Sequence, residues 1–144
     1  MTNEWRIGLV LVAALWARAE ARQDQGKALQ GTWKPVEAEL AGVKLPETVL
    51  APLRLELGKG TYVLKGAESP DRGTLTIDAT RKPRTMDVTG TDGPNKGKTF
   101  PAIYDLEGDT LRICYDLSGK QRPAEFKTAK ETRLYLVTYK RDKP

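Results

Sequence analysis

Histidine is absent from the 144 residues. That excludes Ser-His and Cys-His nucleophile activation, His-ligated zinc and His-ligated haem. Cysteine occurs once, as Cys114, so no disulfide can close within the chain. A reactive thiol there would need its pKa lowered by a cation such as Arg112; a thiol buried on or beneath a strand is the simpler reading. No apolar run is long enough to span a bilayer. The stretch Ile7 to Ala17 has eleven residues, about 16 Å as a helix against a hydrocarbon core of ~30 Å. One-signed charge is missing too. The chain has 24 Lys+Arg and 19 Asp+Glu, net +5, but pairs such as Lys65/Glu68, Asp71/Arg72, Asp105/Arg112 and Lys130/Glu131 intersperse the signs. With no basic stripe interleaved with aromatics, nucleic acid is not an expected partner. A solvated, mildly basic surface is expected instead.

The short apolar run has an address-like context. A polar start containing Arg6 precedes it, and Ala17-Arg18-Ala19-Glu20-Ala21 follows, with small residues where signal peptidase requires them. Residues 1–21 are therefore expected to be a signal peptide, cut after Ala19 or Ala21. Export to the periplasm or beyond follows, with the membrane met only through the leader. Arg6 and Arg18 are balanced by Glu4 and Glu20, so the mature chain keeps its net +5. Residues 22–28 read as a polar tether and 29–141 as one domain, large enough to build its own core.

That domain alternates. Leu53, Leu55 and Leu57 are interleaved with Arg54 and Glu56; Leu75 and Ile77 with Thr74, Thr76 and Asp78; Met86 and Val88 with Thr85, Asp87 and Thr89. Gly58-Lys59-Gly60 and Ser69-Pro70-Asp71-Arg72-Gly73 read as breaks between strands. Leu29 to Lys34 opens the first strand, where Pro35 requires an edge or a bulge. Gly42 to Pro52 reads as a connection, with room for one helical turn at Glu47 to Leu50. Around Gly108, a two-residue loop at Glu107-Gly108 or at Gly108-Asp109 puts Phe100, Ala102, Tyr104, Leu106, Leu111, Ile113 and Tyr115 on one face. A three-residue loop would flip that assignment. The last strand, Arg133 to Arg141, is apolar on both parities at its middle, so the pattern does not select its inner face. About eight strands with short connections predict an all-β, antiparallel up-and-down barrel, closed so that no edge is left bare.

Gly31-x-Trp33 in the first strand and Lys140-Arg141 ending the last resemble the lipocalin and fatty-acid-binding-protein pattern. That resemblance implies a lipocalin-like barrel plugged by Gly31, Trp33 and Arg141, the basic residue packing across the indole. Leu29 to Lys34, Lys82 to Asp87, Thr91 to Thr99, Ile103 to Leu111 with Cys114, and Arg122 to Phe126 are similar to a planctomycete family of small exported lipocalin-like domains of unknown function. The likeness covers residues 29 to 141. It implies a fold and an extracytoplasmic location, and brings no catalytic residues with it.

No motif supplies chemistry. Gly93-Pro94-Asn95-Lys96-Gly97-Lys98-Thr99 lacks a phosphate loop's first glycine, Asp92 standing there, and Thr99 to Ala102 continues as strand rather than helix. It reads as a hairpin connection. Asp92 and Asn95 lack the oxygen-ligand spacing of a calcium loop. The acids Asp71, Asp78, Asp87, Asp92 and Asp109 fall at outward or turn positions, where solvation explains them, and a glycosidase pair is not evident. Catalytic residues, metal ligands and cofactors are therefore not expected. The expected function is non-enzymatic binding of a small apolar or amphipathic ligand, with Leu55, Leu75, Tyr104, Ile113 and Tyr115 inside. The alternative is a protein-interaction or structural module whose barrel is filled, since eight strands allow either interior. A hydrolase would need converging acids in a cleft.

Overall fold

The computed structural model describes residues 24–143. The expected leader, residues 1–21, lies outside them. Nine strands follow in order: β1 (Gly31–Leu40), β2 (Val43–Lys44), β3 (Arg54–Leu57), β4 (Thr61–Lys65), β5 (Asp71–Asp78), β6 (Arg84–Asp92), β7 (Thr99–Glu107), β8 (Thr110–Asp116) and β9 (Leu134–Arg141). All pair antiparallel, each of β3 to β9 with its sequence neighbour, and β9 returns to β1. The result is an eight-stranded, up-and-down, lipocalin-like barrel of β1 and β3–β9. β2, not foreseen in the sequence, is a two-residue flap on the end of β1.

Two helical pieces accompany the barrel. Residues 24–29, overlapping the stretch 22–28 read as a polar tether, form α1, and Leu29 at its end is buried against the core. The helical turn expected after β2 is α2 (Glu47–Leu50), which buries Leu50. Among the described residues no helix is long and apolar enough to cross a membrane.

Proline chemistry shapes β1. Its pairing with β3 ends at Trp33, so the missing N–H of Pro35 breaks no ladder on that side. On the β9 side the register shifts between Pro35 and Glu37, leaving Val36 as an exposed bulge residue. The bulge also resets parity: Trp33 and Pro35 are buried before it, and Ala38 after it.

The β7–β8 hairpin turns at Gly108-Asp109, with Leu106 opposite Leu111 and Glu107 opposite Thr110. Gly108 takes φ 58° at the first loop position, the left-handed conformation that a two-residue loop of type II′ needs there. The inward face expected from the pattern is present: Phe100, Ala102, Tyr104, Leu111 and Ile113 are buried, with Leu106 and Tyr115 packed against them.

The connection 117–133 lies over the outer face of β7 and β8. Arg122 reaches the carbonyls of Ala102 (2.8 Å) and Met86 (3.2 Å) and the Asp87 carboxylate (2.6 Å). Phe126 sits beneath the Arg112 guanidinium at 4.5 Å. Ile103 and Cys114 are outward-facing by parity yet buried. Leu136 is the cross-strand neighbour of Cys114 on that face and is half-buried. This accounts for the last strand's two apolar parities. Val137 and Tyr139 are its buried inward residues.

Candidate functional site

One end of the barrel is sealed. Trp33 is wholly buried, and its indole N–H donates to the Leu29 carbonyl at 2.9 Å. The Arg141 guanidinium lies 4.3 Å from the indole ring and donates to the carbonyls of Gln30 and Ala28, each at 2.9 Å. These carbonyls belong to the C-terminal end of α1, where helical chains leave acceptors unfilled and cations are favoured. Gly31 is part of the arrangement: its φ is 133°, and a Cβ there would come within 2.9 Å of the Arg141 guanidinium. The three residues of the expected plug thus meet at one point.

At the other end the strands enclose a partly open apolar cavity of about 130 Å³. Leu55, Leu75, Ile113 and Tyr115, four of the five expected interior residues, line it. Tyr104 does not. Its hydroxyl donates to the Gln25 side chain at 3.3 Å, at the α1 end, and the Arg84 guanidinium lies 5.6 Å from its ring. Parity placed Tyr104 correctly inside but says nothing of height along the strand. β7 enters at the open end with Phe100, and Tyr104 sits near its exit.

The polar feature of the cavity is one that sequence reasoning missed. Asp71, read as a solvated turn acid, is the first residue of β5, is only 8 % exposed and lines the cavity. Its Oδ2 accepts from the Tyr62 hydroxyl (3.2 Å) and from the Asn95 amide (2.9 Å). Its Oδ1 is buried and has no hydrogen-bond partner among the described residues. The misreading came from Gly73, taken as the end of a turn. Gly73 instead lies in the strand, where a Cβ would sit 1.9 Å from the Thr89 carbonyl oxygen and 2.6 Å from the Tyr62 ring. It is glycine because backbone and ring approach it closely. Asp71 shares the parity of Leu75 and Ile77, the signal that would have placed it inward.

Asn95 arrives from the hairpin connection 93–98. Gly90 permits this, since a Cβ there would fall 2.0 Å from the Asn95 carbonyl oxygen. The Gly90 N–H donates to Lys98 (2.9 Å), and its carbonyl accepts from Gly97 (2.9 Å). The glycine-rich segment thus ties a loop back over the mouth.

Four tyrosines complete the lining: Tyr62, Tyr115, Tyr135 and Tyr139. Burial pushes all four phenols above their ordinary pKa, and Tyr62 is pushed further by the charge and hydrogen bond of Asp71. They are therefore neutral hydroxyls at physiological pH. The Tyr115 and Tyr139 hydroxyls share a hydrogen bond of 3.3 Å, and Tyr115 stacks on Tyr135 with centroids 5.8 Å apart.

The other buried acid, Asp116, is engaged in structure. Its oxygens accept from the Ser118 N–H and hydroxyl and from the N–H groups of Lys120 and Gln121, at 2.6 to 3.1 Å. Cys114 is buried, with its thiol 3.7 Å from the Lys127 carbonyl. Among the described residues, no three His, Cys, Asp or Glu side chains group as metal ligands would. The chain matches no family model, no curated protein and no solved structure.

Proposed function

We propose that the barrel is a non-enzymatic binding domain for a small molecule, or the end of one, about the size of a single ring. The observation that carries this is the 130 Å³ cavity, apolar in lining and opposite the plugged end. An apolar cavity of ~150 Å³ is enough to take up benzene. It is well below the ~300 Å³ at which sites for drug-sized ligands begin. A long lipid chain held wholly inside is therefore not part of the reading. Export through the leader, and membership in the family of small exported lipocalin-like domains, belong to the same proposal and rest on the motifs.

The test is titration of the full chain with benzene or xenon while following methyl NMR signals. Saturable shifts confined to methyls that line the cavity, such as those of Met86, Leu55, Leu75 and Ile113, are expected, and Leu75→Trp, which fills the space, abolishes them. No shift at any concentration would overturn the reading. It would favour the second one, a protein-interaction module with a filled barrel. That alternative draws on the modest cavity volume and on the exposed Val36, Val43 and Val49.

A further inference from the structure

We infer that the ligand carries a protonated amine, and that Asp71 is its anchor. The inference rests on the small-ligand reading above and names the ligand's chemical class. Burying an ionised carboxylate is costly unless both oxygens find donors or a countercharge, and native interiors rarely leave such an oxygen unserved. Asp71 is more than nine-tenths buried, yet its partners among the described residues, Tyr62 and Asn95, are both neutral and both spent on Oδ2. In a chain with net +5, the one carboxylate lining the cavity forms no ion pair with a Lys or Arg among the described residues. Its Oδ1 is the acceptor left over.

The surroundings select among donors. An alcohol would satisfy the hydrogen bond but not the charge; an ammonium does both. Tyr62, Tyr115, Tyr135 and Tyr139 all line the cavity, and aromatic rings are the surface on which organic ammonium groups are held. A divalent ion would want six or more oxygens, and a single carboxylate with one amide and one phenol falls short. An anionic head is repelled by Asp71 itself. Lys98 and Arg133 flank the rim, but Lys98 is exposed and its field is screened by water, whereas Asp71 acts at contact in the interior. The site thus fits one apolar ring, reaching toward Met86 and Ile113, with an ammonium at the Asp71 side.

Three probes with the same ring separate the possibilities: benzylamine, benzyl alcohol and benzoate, each titrated calorimetrically into the full chain. Benzylamine should bind at least ten times more tightly than benzyl alcohol, and benzoate should not bind measurably. Asp71→Asn keeps the shape and removes the charge; it should weaken benzylamine at least tenfold and weaken benzyl alcohol far less. Equal affinity of wild type for amine and alcohol would overturn the inference while leaving the small-ligand reading intact. An Asp71→Asn protein that binds benzylamine as wild type does would overturn it as well, because the charge would then contribute nothing to binding. Failure of all three probes, together with benzene, would remove the small-ligand reading itself.

Discussion

The Arg141 guanidinium carbon lies over Trp33, 4.3 Å from the ring centroid, while two of its nitrogens hold the last carbonyls of α1. One side chain from the final strand thus fastens the helix, the first strand and the indole together. Trp33→Ala should cost ~3–5 kcal/mol in urea unfolding, as for other large buried aromatics. Arg141→Lys keeps the charge but loses the planar fork, and should cost ~1–2 kcal/mol. A loss of less than about 1 kcal/mol for Trp33→Ala would show that the indole is not the plug.

Asp71→Asn should leave the fold as stable as wild type or raise stability by up to ~2 kcal/mol. Burying a charge among neutral partners is costly, and the variant removes that charge while keeping an acceptor for Tyr62 and Asn95. Chemical denaturation measures this. Clear destabilisation would mean that the carboxylate is held by something other than its two neutral partners.

Asp116 is expected to govern acid stability. Burial raises its pKa, but hydrogen bonds from the Ser118 hydroxyl and from three backbone N–H groups outweigh that and hold it below the ordinary value. A depressed folded-state pKa means its stabilisation is present above the unfolded value of ~3.9 and lost as pH falls through the folded one. Asp116→Ala should cost ~2–4 kcal/mol at neutral pH and flatten the acid limb of the stability curve. An unchanged acid limb would assign that slope to other carboxylates.

The tyrosines predict the opposite limb. All five have raised pKa values, Tyr104 to about 12, with burial the leading cause. Folded protein keeps these phenols protonated while the unfolded chain ionises near ~10, so stability is intact below pH ~10 and declines above it. Phenolate absorbance should therefore rise late and together with loss of near-UV circular dichroism. Free ionisation of several tyrosines near pH 10 in folded protein would contradict the buried placement.

Cys114 should be inert in the native state. Burial raises its thiol pKa, and the thiolate is the reactive form. A maleimide should label the chain only after denaturant is added, to one equivalent. Ready labelling of folded protein would show that the 117–133 connection opens often.

Strand count and the inward face of the β7–β8 hairpin were legible because period-2 alternation and turn residues act locally. The bulge at Pro35 and the turn at Glu47 to Leu50 were legible for the same reason. The plug residues, by contrast, were legible only through the resemblance to the lipocalin pattern. Asp71, Asn95 and the exclusion of Tyr104 were not. Asp71 and Asn95 are 24 residues apart in sequence and meet only because Gly73 and Gly90 let backbone and rings pass close. Neither glycine announces whether it serves a turn or a contact.

The amino-acid sequence alone determined that this chain builds short antiparallel ribbons and lacks the imidazole and paired thiols on which much catalysis and cross-linking depend. Side-chain parity and turn propensity are properties of neighbouring residues, and they suffice for that. What only the tertiary structure decided is that the barrel keeps a small apolar space with one under-served carboxylate in its wall. Height along a tilted strand, and the company a side chain keeps there, arise when distant strands close on one another.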